Sequence, residues 1–212
     1  MRVIVIGSTG KIGRLTVPKL IDAGHSVIAL VRASSDRHQL PERGVEIRNA
    51  DLESDIAPAI EGAEACVFTA GSGPSTGKDK TLTVDLWGAV KAIRCCKSVG
   101  IERFVMVSAL KAHDPELGNE RLKPYLVAKH AADWILERSG MQHTILRPGR
   151  LSDAPGTGLV AVGELTDHPE SEIPRDDVAA VITHCLNCPT TVGNTIHLLS
   201  GNTPIKAALE SG

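Results

Sequence analysis

Aromatic side chains are nearly missing from this 212-residue chain, which has two Trp, two Phe and one Tyr. A surface that stacks nucleic-acid bases needs several exposed rings, so a base-stacking platform is excluded. An excess of one charge is missing too. Lys and Arg number 23 against 25 Asp and Glu, a net charge of -2, which gives no broad attraction to nucleic acid or to an anionic membrane. No apolar run reaches the roughly 18 residues of a membrane span. The opening Met1-Arg2-Val3-Ile4-Val5-Ile6-Gly7 lacks the apolar core and cleavage site of a signal peptide. The five cysteines (Cys66, Cys95, Cys96, Cys185, Cys188) form no disulfide framework, so a cytoplasmic location is expected. The expected partner is a small molecule, with neither nucleic acid nor membrane.

What is present is an alternation of short apolar runs and longer amphipathic stretches. Val3–Ile6, Val27–Val31, Val45–Ile47, Ala65–Ala70, Arg103–Ser108, His143–Leu146 and residues 195–199 read as strands. Residues 11–23 and 54–61 and a stretch near 176–187 read as helices, with a short terminal helix near 204–210. Leu86, Ala89, Val90 and Ile93 repeat at i, i+3, i+4, i+7, the pattern of one helical face. Pro124 suits the first turn of another helix, where its missing N–H has no intrahelical partner to lose. Loops are expected at 71–79 and 109–123, and an irregular Gly/Pro-rich stretch at 148–163. Repeated β-α-β units imply an α/β fold, a doubly wound parallel sheet in a single domain. Residues 148–212 are expected to form a small substrate-side segment of it.

Between the first strand and the first helix lies Gly7-Ser8-Thr9-Gly10-Lys11-Ile12-Gly13. Gly7 permits the tight turn, Gly10 lets backbone approach a pyrophosphate, and Gly13 lets helix and strand pack closely. The helix N-terminus adds N–H donors and the positive end of a dipole. A bare glycine triplet is weak evidence, but the strand–turn–helix context makes this a dinucleotide site. The second strand ends in Arg32-Ala33-Ser34-Ser35-Asp36-Arg37. An acid at the strand end would hold a ribose 2′-hydroxyl, whereas the guanidinium of Arg32 suits a 2′-phosphate, so NADP(H) is favoured over NAD(H). Asp51 and Leu52, after the third strand, are expected to flank the adenine.

Tyr125 and Lys129 are four residues apart on one helix and share a face. An ammonium beside a phenol favours phenolate, so Lys129 is expected to lower the Tyr125 pKa and fit it for proton transfer at a carbonyl or alcohol. Ser108 ends the fifth strand, at the edge where open α/β sheets bind ligands, and can orient a substrate oxygen. Each has a plainer reading: a packing Tyr, a solvated Lys, a strand-end Ser.

At this point the chain resembles the short-chain dehydrogenase/reductase superfamily, and most closely its atypical branch of small NAD(P)-binding, epimerase/dehydratase-like proteins. Nearly the whole chain takes part. The resemblance rests on Gly7–Gly13, Asp51-Leu52, Phe68-Thr69-Ala70-Gly71, Arg103–Ser108, Tyr125–Lys129 and Leu146-Arg147-Pro148-Gly149. It implies an NAD(P)-binding Rossmann fold, with Ala70, Gly71, Lys129 and Pro148 at the cofactor, and Ser108, Tyr125 and Lys129 as the catalytic set. Two departures stand out. Ser108 and Tyr125 are farther apart than usual, so the 109–123 loop has to fold aside. The stretch after Pro148 is short for a nucleotide-sugar domain.

No metal site is expected. Cys185-Leu186-Asn187-Cys188 has no second pair at zinc-site spacing and reads as buried structural cysteine, and no two His stand at ligand spacing. The leading expectation is an NADPH-dependent oxidoreductase acting on a small carbonyl or quinone-like compound. Its competitors are a cofactor-binding regulatory protein without turnover, and an epimerase or dehydratase that keeps its cofactor bound. With so few rings to spare, an aliphatic-walled cleft is expected beside the nicotinamide.

Overall fold

The first strand, Val3-Ile4-Val5-Ile6, sends alternate side chains into two different cores. Val3 and Val5 pack on one face of the sheet, Ile4 and Ile6 on the other, and all four are buried. A strand covered on both faces has to be apolar at every position, which accounts for the unbroken run in the sequence. The computed structural model describes residues 1–73, 76–163 and 172–210.

Within them the strands are β1 (Arg2–Ile6), β2 (Ser26–Val31), β3 (Val45–Asn49), β4 (Ala65–Phe68), β5 (Arg103–Val107) and β6 (Gln142–Pro148). They continue as β7 (Arg150–Ser152), β8 (Leu159–Val162), β9 (Glu172–Pro174), β10 (Asn194–Ser200) and β11 (Thr203–Pro204). Nine of them form one sheet in the order β11-β8-β10-β6-β5-β4-β1-β2-β3, while β7 and β9 pair separately. The pairings from β3 through to β10 are parallel, and β8 runs antiparallel to both β10 and β11. The expected mainly parallel, doubly wound sheet is therefore present, with an antiparallel edge.

The helices are α1 (Gly13–Asp22), α2 (Ala57–Ile60), α3 (Lys78–Lys80), α4 (Trp87–Ser98), α5 (Lys123–Glu137), α6 (Arg175–Leu186) and α7 (Ile205–Glu210). Val17 and Leu20 of α1 and Val178, Val181 and Ile182 of α6 cover one face. Ala89, Ala92 and Ile93 of α4 and Ala132 and Leu136 of α5 cover the other. Among the described residues no helix is long and apolar enough to cross a membrane.

Three segments differ from the sequence reading. The 148–163 stretch holds β7 and β8, because pairing with β9 and β10 overrides its Gly and Pro content. The 109–123 loop contains two 3₁₀ turns, Leu110–His113 and Pro115–Leu117, the second capped by the Asp114 carboxylate accepting the Glu116 N–H. The helix expected to begin near Leu86 starts earlier, at α3, and runs into α4 through a π-helical turn, Thr81–Leu86.

The far side of β5 is anchored by a buried guanidinium. Arg103 donates to the carbonyls of Gln142 and Cys185 and to the hydroxyls of Thr144 and Thr191. Replacing Arg103 with Ala strands these acceptors, so it is expected to cost about 2 kcal/mol or more, read as a lower urea midpoint. Cys185 and Cys188 are buried and free, as expected, and burial pushes the Cys185 thiol up to about 12.

Candidate functional site

The strand order reverses between β1 and β4, and the crevice at their carboxyl ends is where an open α/β sheet takes a ligand. Gly7 turns the chain out of β1 at φ +89°, a conformation that side chains with a Cβ rarely adopt. A Cβ there would meet Ala70 N at 2.6 Å, so the turn is pressed against the end of β4. At Gly13 a Cβ would lie 2.1 Å from the Gly7 carbonyl oxygen. Only glycine lets α1 start this close to the turn. Gly10 donates its N–H to the Gly7 carbonyl, and the N–H groups of Thr9, Lys11 and Ile12 find no backbone acceptor among the described residues. Open donors at a helix start beside a glycine cradle fit a pyrophosphate.

The side chains of this turn divide. Ser8 is buried and its hydroxyl donates to the Leu30 carbonyl, so it braces the turn from behind. Ile12 packs in the core. Lys11 is exposed and pairs at 2.8 Å with Asp153, a carboxylate that also takes Arg175.

At the end of β2, Arg32 is exposed and its side chain makes no hydrogen bond or ion pair among the described residues. Arg37 is engaged with the Asn49 side chain at 2.8 Å. The nearby acid, Asp36, accepts the His38 N–H at 3.0 Å, which closes its own turn. After β3, Asp51 accepts the Glu53 N–H, and Leu52 turns into the core against Gly88.

At the ends of β5 and β6 the remaining residues gather. Ser108 follows β5 and is buried; its hydroxyl donates to Asp133 Oδ2 at 2.9 Å. Lys129 is buried on α5, donates to the Val107 carbonyl at 3.0 Å, and lies 4.0 Å from Asp85 Oδ1. Its Nζ sits over the Tyr125 ring, 5.8 Å from the centroid. Pro148 is buried at the end of β6, and the next N–H, of Gly149, donates to the Leu198 carbonyl.

Two carboxylates that the sequence reading passed over complete the cluster. Asp85 comes from the π-helical turn, is 1% exposed, and accepts the Ser72 N–H just past Gly71. π-helical turns recur at functional sites. Asp133 lies one turn beyond Lys129 on α5 and also accepts from Arg147 Nε at 2.9 Å. These acids reverse one expectation. Burial, with Asp85 and Asp133 nearby, holds the Tyr125 phenol well above its ordinary value, so Lys129 does not lower it. Burial pushes the Lys129 ammonium down and the Asp133 carboxyl up, the opposite charges around each acting the other way.

Among the described residues, no group of His, Cys, Asp and Glu could hold a metal ion. A surface depression of about 400 Å³ lined by Lys19, His184 and Lys206 lies at the far ends of α1 and α6. That is the opposite edge of the sheet from the glycine turn. Residues 74 and 75 of the loop expected at 71–79, and residues 164–171 of the segment expected on the substrate side, lie outside the described residues.

Fold and glycine turn together define a Rossmann protein that binds NAD(P). Comparison with known families agrees: a family model described as NAD(P)H-binding matches residues 7–189, and the chain belongs to that family. It is 48% identical over 214 residues to an uncharacterized sugar epimerase, YhfK, of Bacillus subtilis, covering 99% of each chain. A solved Bacillus halodurans structure, described as a candidate NAD-dependent epimerase/dehydratase, is 42% identical with a TM-score of 0.94 over 100% of both chains. The oxidoreductase YlbE of Lactococcus lactis is 30% identical with a TM-score of 0.88, covering 100% of this chain and 96% of that one. The chain is thus an NAD(P)-binding, epimerase- and oxidoreductase-like protein.

Proposed function

We infer that this protein is an NADPH-dependent reductase of small carbonyl or quinone-like compounds. The observation that carries the cofactor choice is Arg32, exposed and unengaged at the end of β2, where the neighbouring Asp36 is spent on its own backbone. A planar guanidinium at that position pairs with a 2′-phosphate. The backbone of Gly7, Ser8, Thr9, Gly10, Lys11, Ile12 and Gly13 would hold the pyrophosphate. Asp51 and Leu52 would flank the adenine, while Ala70, Gly71, Lys129 and Pro148 would border the ribose and nicotinamide.

When bound, NADPH supplies a hydride to the substrate carbon. Tyr125 supplies the proton to the substrate oxygen; burial raises its pKa, which keeps the phenol protonated and makes it the weaker acid. Lys129 is fixed by the Val107 carbonyl and lies over the phenol ring, where it balances Asp85 and steadies the phenolate left after transfer. Ser108 fixes the edge of the site. The segment from residue 148 onward forms the substrate side.

The test is a comparison of cofactors. Arg32→Ala is expected to weaken NADPH binding about 10- to 100-fold, the worth of a charge-assisted pair, and to leave NADH binding within about twofold. Equal wild-type affinities for the two cofactors would sink the assignment. The descriptions of the Bacillus relatives favour a second reading, epimerase or dehydratase chemistry with a cofactor that is recycled in place. Protein purified with NAD(P) still bound supports that reading, and an apo preparation that consumes NADPH with a quinone supports reduction.

A further inference from the structure

A carboxylate and an ammonium meet where both are cut off from water. Asp85 lies four residues before Ala89, on the buried face of the helix that runs into α4. Its Oδ2 accepts the Ser72 N–H at 3.1 Å, and a Cβ at Gly71 would come within 3.0 Å of its Oδ1. Oδ1 in turn lies 4.0 Å from Lys129 Nζ, which donates to the Val107 carbonyl at 3.0 Å. Arg147 pairs with Asp133, so among the described residues Lys129 is the one cation paired with Asp85. Burial pushes the Lys129 ammonium down, and Asp85, ahead of Asp133, holds it up.

Resting on the cofactor reading above, we propose that Asp85 is a positioning residue: its charge keeps Lys129 a cation, and its two oxygens hold that cation and the Gly71–Ser72 backbone together at the nicotinamide ribose. The Val107 carbonyl is neutral and cannot supply the countercharge that a buried ammonium needs. As a cation, Lys129 attracts the anionic cofactor, which a neutral amine does not. The charged and titratable groups that face Lys129 are Asp85 from the π-helical turn and Tyr125 and Asp133 from α5. From β5 it meets the Val107 carbonyl, and from β6 Arg147 reaches it through Asp133.

Asp85→Asn keeps an oxygen for the Ser72 N–H and removes the charge. In protein made with carbon-13 lysine, the Lys129 Cε resonance is identified by its loss in Lys129→Arg. Its titration midpoint is expected to fall by about one pH unit or more in Asp85→Asn. NADPH binding should follow. The pH above which affinity fades is expected to fall by the same amount, with about a tenfold loss across that step. A change that merely loosened the fold would weaken binding alike at every pH. An unmoved midpoint in folded Asp85→Asn overturns the proposal, as does a moved midpoint with the wild-type pH profile of NADPH binding. Should Asp85→Asn fail to fold, Asp85→Asn/Lys129→Met removes both charges, strands neither, and is expected to fold. The wild-type Lys129 resonance then decides: an ammonium at pH 7 supports the proposal, and a neutral amine there overturns it. If the wild type binds NADPH and reduces no acceptor, the reductase reading fails alone, and the Lys129 midpoint still decides for or against Asp85.

Discussion

Replacing Tyr125 with Phe is expected to lower turnover by about 10²- to 10³-fold while NADPH binds within about twofold of wild type. The substitution removes a single oxygen that has no hydrogen-bond partner among the described residues, so it strands no buried group and should not lower stability. No other phenol exists in the chain to take over. Ser108 cannot substitute as a donor, since its proton is committed to Asp133, and Lys129 is held by the Val107 carbonyl. The pH dependence carries the same sign. A phenol held above its ordinary value of about 10 stays protonated across the neutral range, so reduction should not fade through loss of the Tyr125 proton as pH rises from 7 to about 9. Steady-state rates with a panel of carbonyls and quinones, beside a fluorescence titration of NADPH, decide the matter. Unchanged turnover in Tyr125→Phe would remove Tyr125 from the chemistry.

The reversal at Tyr125 shows where sequence reasoning stops. Lys129 was visible because four residues along a helix is a local relation. Asp85 arrives from a distant segment through a π-helical turn, and only the folded chain brings it beside Lys129. Asp133 had one local signal, being four residues beyond Lys129, but an acid on an amphipathic helix ordinarily reads as a solvated face. Its partners Ser108 and Arg147 come from two strands, β5's end and β6, that are adjacent only in the sheet. The same contrast runs through the fold. The strands from β1 to β6 carry local signatures: apolar runs closed by turn residues. β7, Arg150-Leu151-Ser152, lacks one, and pairing with β9 makes it a strand. The glycine turn was the most legible feature, because each of its constraints is a matter of backbone space at a fixed position.

That backbone space gives the other large effect. Gly13→Ala is expected to weaken NADPH binding by about 100-fold or more and to destabilise the fold by about 1–3 kcal/mol, the usual cost of overpacking. The added Cβ would lie 2.1 Å from the Gly7 carbonyl oxygen and 2.8 Å from Gly7 C and Ser8 Cα, all of them backbone atoms. Gly7 cannot retreat, because Ala70 stands behind it and the Thr69 N–H and hydroxyl are bonded to the Ile6 carbonyl. The start of α1 therefore has to move, and with it the N–H groups that face the pyrophosphate. Gly10→Ala is the control. Its Cβ would meet only the Gly7 oxygen, at 3.1 Å, so the fold should keep its stability while the methyl intrudes where the ligand must approach. Thermal unfolding with and without NADPH separates the two, since bound ligand raises the midpoint by an amount that grows with the logarithm of its affinity. The Gly13 variant should lose both intrinsic stability and the NADPH-induced rise, and the Gly10 variant only the rise. A Gly13→Ala protein that NADPH stabilises as well as it does the wild type would show that α1 can shift without disturbing the site, and the pyrophosphate would then have to be held elsewhere.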